Sequence, residues 1–131
     1  MKNKDNSRFI PSVIITCLLV VALILRYIEF DILSIISVAL FICGHLFAIV
    51  YASVSKSLKQ REKLIILIIS VFPLIFYLFM INHWPGASII QFLMFIPAGT
   101  FIYSTFQMKN ILKYEIPFLG IIAVNILLMI F

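Results

Sequence analysis

The sequence predicts an all-α fold, a polytopic bundle of transmembrane helices, and three observations lead there. The first is composition. The chain has 131 residues, of which 64% are hydrophobic and 11% charged, with a mean hydropathy of +1.21. A soluble domain carries about a quarter charged residues, and a surface in contact with water needs more polar groups than these. The second is distribution: the apolar residues fall into long runs without the strict alternation of barrel strands. Backbone groups in lipid have no water to bond, so such runs become helices. The third is charge placement, because the basic residues gather in short breaks beside the runs.

Five apolar runs place spans at about 9–27, 30–54, 64–81, 87–106 and 116–131 of a single integral membrane domain, 1–131. A span needs about 20 apolar residues. The first four runs reach the working range, and the fifth, with 16 residues, is marginal. A thinned bilayer or a shallow seat would accommodate it. The segment before the first run, Met1 to Arg8, has the charge of a signal-peptide start. The run behind it exceeds an ordinary signal core and lacks a small-x-small cleavage site, which predicts an uncleaved first span.

Nine of the ten basic residues lie on one side of this topology: Lys2, Lys4 and Arg8, then Lys56, Lys59, Arg61 and Lys63, then Lys109 and Lys113. Arg26 alone lies on the other. The positive-inside rule makes the basic side cytoplasmic, so residues 1–8 form a cytoplasmic N-terminus in the inner membrane. The net charge of +5 is thereby a topology signal. It gives no reason to expect nucleic acid as a partner.

Shifting the chain by 54 residues places Ser34-Ile35-Ile36 on Ser88-Ile89-Ile90, Phe41-Ile42 on Phe95-Ile96, Phe47 on Phe101, and Leu58-Lys59 on Leu112-Lys113. The two hairpins have the same orientation, so the pattern is a parallel tandem repeat, unlike the inverted repeats of many transporters.

One polar stretch is distinctive. Asn82-His83-Trp84-Pro85-Gly86-Ala87 lies between the third and fourth runs and holds the only Trp. Pro85 biases Trp84 away from helix, and Gly86 permits a tight turn. Trp84 suits the headgroup layer, and His83 can hold a carbonyl freed at the helix end. The stretch therefore reads as a rigid, anchored turn. It also reads as a contact surface on the outer face, or as a point of proton access through His83.

His45 lies deep in the second run. An ionisable group at that depth is a suspect for function, but a neutral imidazole also bonds helices together. Interhelical bonding, proton handling and ligation of a metal or cofactor all remain open for it. Arg26 and Glu29 are three residues apart at the first outer turn, beside Asp31, and can pair or stay solvated. Pro73, and Pro97 with Gly99, interrupt the third and fourth spans. Ala98-Gly99-Thr100 and Gly44 offer small surfaces for close helix contact. Cys17 and Cys43 read as small apolar packing residues, since a disulfide would require their helices to meet at that depth.

Ser70, Gln91, Thr100, Ser104 and Asn125 are the other polar groups in or near the spans, too few for an evident solute path. There is no G-x-S-x-G, no phosphate-binding glycine loop and no HExxH. The reading is of no enzyme, no catalytic residue, no cofactor and no metal ligand.

At His83-Trp84-Pro85-Gly86-Ala87 the chain resembles the membrane hairpin of GldL, a Bacteroidota family whose members carry a Lys-x-x-His-Trp-Pro-Gly-Ala turn between two spans. The family forms, with GldM, a proton-driven inner-membrane motor for gliding and type IX secretion. The resemblance covers the third span, the turn and the fourth span, about a third of the chain. It implies a related hairpin. The family's basic residue three before the His falls on Met80, and its intramembrane Glu falls near Ile102. Neither can carry a proton, which argues against a working motor subunit. Through the repeat, the same family positions fall on Arg26, Glu29 and near Ala48, with His45 three residues before the last. This implies a degenerate relay of Arg26, Glu29 and His45.

The expected function is that of a small accessory or scaffold protein, whose partners are the lipid bilayer and either other membrane proteins or further copies of itself. The alternative is an ion- or proton-coupled component related to the motor hairpin.

Overall fold

The structure, a computed structural model, describes residues 2–28 and 31–130. Glu29, expected to pair with Arg26, lies outside the described residues. The described chain is helical without strands: α1 Lys2–Arg26, α2 Asp31–Val54, α3 Gln60–Ile81, α4 Ala87–Leu93, α5 Phe95–Gln107 and α6 Ile116–Ile130. Among the described residues, four segments are long and apolar enough to cross a membrane, namely Asn6–Arg26, Asp31–Val54, Gln60–Ile81, and Ala87–Gln107 taken as one. The chain is a membrane protein built as a helical bundle. The outward faces carry Ile10, Val13, Ile24, Ile35, Phe47 and Ile89, all exposed. An apolar surface of that extent is a lipid-facing one.

The helices run past the apolar limits expected at the basic end. α1 begins at Lys2 and α3 at Gln60, so the polar flanks are helical too. At the start of α3 the Lys59 N–H donates to Glu62 Oε2 (3.1 Å), one half of a capping box.

Two prolines behave differently. Pro73 lies within an unbroken α3, whereas Pro97 does interrupt the fourth span. A proline ring collides with the carbonyl four residues back, and here that residue is Leu93, where α4 ends. The Met94 N–H turns to the Gln91 carbonyl (3.2 Å) and α5 restarts at Phe95. Pro97 then sits in the first turn of α5, where its missing N–H leaves nothing unsatisfied. Met94 is fully buried and fixes the break in the core. The corresponding part of α2, around Leu40, is continuous helix, so the two hairpins of the sequence repeat differ here.

The marginal fifth run is an integral part of the bundle. α6 packs against α1, α3, α4 and α5. Phe118, Leu119, Ile122 and Ile126 on it are fully buried. It is more apolar than α2, α3 or α5. A helix apolar all round suits a protein interior or a membrane span, and α6 combines the two, with Val124, Leu127 and Leu128 exposed. Protein covers several of its sides, so α6 exposes less surface to lipid than a helix of its length standing alone.

Of the two small-residue sites, only one is a close contact. A Cβ added to Gly44 would lie 2.7 Å from Leu19 Cδ2, so α1 and α2 depend on that glycine for their approach. Gly99 has nothing within 4 Å of an added Cβ, while its neighbour Ala98 packs against the core. Cys17 and Cys43 are both exposed and free.

Candidate functional site

The turn at 82–86 is built almost entirely from backbone geometry. α3 ends at Ile81 and Asn82 is its C-cap. The Trp84 N–H donates to the Phe79 carbonyl (3.0 Å) and the His83 N–H to the Met80 carbonyl (3.2 Å). These nested bonds are a Schellman motif. Its characteristic apolar contact is present as an edge-on packing of Phe79 and Trp84, ring centres 5.1 Å apart. The Asn82 amide takes the Leu78 carbonyl at 2.8 Å. It is therefore the backbone N–H groups of His83 and Trp84, with the Asn82 side chain, rather than the His83 imidazole, that hold the carbonyls at the helix end.

The motif requires a left-handed residue after the cap, usually Gly. Here that residue is His83, with φ 51°, the only non-glycine of positive φ among the described residues. Pro85 follows, and Gly86, with φ 97°, caps α4 by accepting from Ile89 (3.0 Å) and Ile90 (3.2 Å). Trp84 remains 51% exposed. The turn thus presents an imidazole and an indole on a rigid frame.

His45 is fully buried in α2. Its Nδ1 lies 2.8 Å from the Phe41 carbonyl, and since only an N–H can bond a carbonyl, Nδ1 carries the proton. Nε2 is then an acceptor, and it is buried without a partner. On α3 the Ser70 hydroxyl is likewise buried and unpartnered. The imidazole packs on Phe41 (4.0 Å), which packs on Tyr77 (4.4 Å). Arg26 is exposed at the end of α1, and no hydrogen bond joins it to His45 among the described residues. No cluster of three or more His, Cys, Asp or Glu side chains capable of holding a metal occurs among them.

At the basic end lies a cluster that sequence reasoning missed. Glu115 is the residue before α6, and its side chain is fully buried. Arg8 of α1, 14% exposed, grips it with both fork atoms, Nε to Oε1 and Nη2 to Oε2, each at 2.8 Å. The same Nη2 donates to the Ile111 carbonyl (2.8 Å). Tyr51 of α2 donates its hydroxyl to Oε1 at 2.7 Å. A bidentate, charge-assisted pair with a third donor is the geometry in which a buried carboxylate is well satisfied. The carboxylate also sits at the N-terminus of α6, where the helix dipole favours negative charge. The Arg8 guanidinium lies 5.8 Å from the Tyr114 ring centre. The cluster ties α1, α2 and α6 together. The available signal was Glu115 itself, a lone acid in a basic break directly before an apolar run.

The remaining polar side chains mostly turn inward on their own helices. Ser12, Thr16, Ser53, Thr100, Thr105 and Asn125 each bond the carbonyl four residues back. Ser37 is an exception, donating to the Ala22 carbonyl of α1 at 2.7 Å, and Gln91 reaches the Ile130 carbonyl of α6 at 3.4 Å.

Comparison with known proteins returned no protein family, no curated protein and no solved structure that matches this chain.

Proposed function

We propose that the chain is an accessory or scaffold protein of the bacterial inner membrane, with its N-terminus in the cytoplasm, working through helix contacts and the outer turn. The observation that carries this reading is His83. Glycine fits a left-handed position at the least backbone cost. A histidine held there beside an exposed Trp84 points to a use for the side chains beyond the turn. Histidine and tryptophan on a rigid frame are suited to recognising a partner's surface at the membrane edge. The GldL resemblance belongs to the same proposal. It rests on His83 to Ala87 and concerns the hairpin, with the motor's ionisable positions occupied by Met80 and Ile102. The self-bonded hydroxyls support a contact role as well, since they leave few polar groups directed between helices. The test is purification in mild detergent from native membranes. A stable co-purifying membrane protein, lost on replacing both His83 and Trp84 by Gly and Ala, is expected; recovery as a lone monomer overturns the proposal.

A second reading, ion or proton coupling, is favoured by one observation: the unpartnered Nε2 of His45 in the bundle interior. It requires pH-dependent flux in liposomes that His45→Ala abolishes. Flux equal to that of protein-free liposomes removes it.

A further inference from the structure

We infer that a groove between α1 and α2 at the basic end holds one anionic phospholipid, with acyl chain between the helices and phosphate at Lys56. The two helices meet closely at Gly44 and Leu19. Toward the basic end the space between them opens into a groove of about 770 Å³. That lies within the about 300–1,000 Å³ typical of small-ligand pockets. Its walls are apolar: Pro11 and Ile14 from α1, Phe47, Val50 and Val54 from α2. From Phe47 to Val54 the wall runs about 10 Å along the helix axis, long enough to align a chain segment with the span.

The mouth has a different chemistry. At the basic end the groove is lined by Ser7 of α1 and by Ser55, Lys56 and Ser57, which follow α2. The Ser55 and Ser57 hydroxyls are 3.0 Å apart on either side of the lysine. Lys56 is exposed and forms no salt bridge with a described carboxylate. Behind the groove, Tyr51 lines the floor while its hydroxyl is bonded to Glu115, and the charge of Glu115 is matched by Arg8. The charged residue that lines the groove is a cation, Lys56. A long apolar slot that opens at a membrane-edge cation and two hydroxyls matches a lipid with one negative phosphate and no compensating headgroup cation. A transmembrane helix of a partner would fill the walls but would leave Lys56 without a counter-charge.

The experiment is native mass spectrometry of the full chain in mild detergent with equimolar phosphatidylglycerol and phosphatidylcholine. One retained lipid is expected, with phosphatidylglycerol favoured about fivefold, the equivalent of about 1 kcal/mol for a single interfacial cation. Lys56→Gln should bring the ratio to about one, Lys63→Gln should leave it unchanged, and Val50→Trp should expel lipid of either kind. Lys56→Gln lies on an exposed break and keeps the proposal falsifiable if Val50→Trp fails to fold. Three outcomes overturn the assignment: equal retention of the two lipids by the wild type, a preference that survives Lys56→Gln, or occupation by a second protein chain.

Discussion

Removing the carboxylate of Glu115 should be among the most damaging single changes in this chain. Glu115→Ala takes away the acceptor of three hydrogen bonds, at 2.8, 2.8 and 2.7 Å. It leaves Arg8 charged, 14% exposed, and bonded only to the Ile111 carbonyl. Breaking a buried ion pair from one side costs about 3–5 kcal/mol. The remaining carbonyl bond and partial wetting of Arg8 place the expected loss near the lower end, about 3 kcal/mol. Tyr51→Phe leaves the pair intact and removes one bond to a charged group, about 1.5 kcal/mol. The double replacement Arg8→Met with Glu115→Leu removes both charges together and should restore most of the loss, because apolar substitutes for a buried pair are often neutral. Equilibrium unfolding in mixed micelles, followed by far-ultraviolet circular dichroism, measures all three. The reasoning fails if Glu115→Ala lies within about 0.5 kcal/mol of wild type, the usual span of surface changes. It fails equally if the double replacement is no better than the single one.

His83→Gly should stabilise the chain by about 1 kcal/mol in the same assay, since a left-handed residue costs about that much unless it is glycine. Loss of stability on His83→Gly would show that the imidazole supports the turn. Gly44→Ala should destabilise by about 1–3 kcal/mol through overpacking, because the new methyl would meet the fully buried Leu19 at 2.7 Å. Pairing it with Leu19→Ala should relieve the clash, and a neutral Gly44→Ala alone would mean that α1 and α2 can separate without loss.

The helical class and the positions of the spans were readable from the apolar runs because lipid imposes one solution on such runs. The turn at 82–86 was readable because Pro85 and Gly86 act locally. What each residue does there was less so. Assigning the αL role to His83 requires the nested bonds to Phe79 and Met80, which no residue type announces. α6 was readable as the shorter apolar helix that it is, but its surroundings were not. Length against bilayer thickness decides the seating of a helix in lipid, but this helix is seated largely in protein, and only its neighbours reveal that. The Arg8–Glu115 pair was invisible because the two residues are 107 positions apart and each looks like ordinary loop charge. The break at Met94 was half visible: Pro97 announced an interruption, but Pro73 announced one equally, and α3 remains whole.

The packing of α6 against four other helices bears on how the chain can be made. Its contacts are with helices that precede it in the chain, and its first residue follows the acid that Arg8 requires. Helices inserted earlier cannot assemble their final interior as they emerge. α1 must wait, with its arginine unpaired, through the insertion of every intervening span. Until then α1, α3, α4 and α5 lack the partner that α6 will later supply to their inner faces. The interior that these helices share with α6 therefore forms only after α6 has been made, and a ribosome stalled before residue 115 should leave a membrane-inserted chain that cellular quality control reads as unfinished.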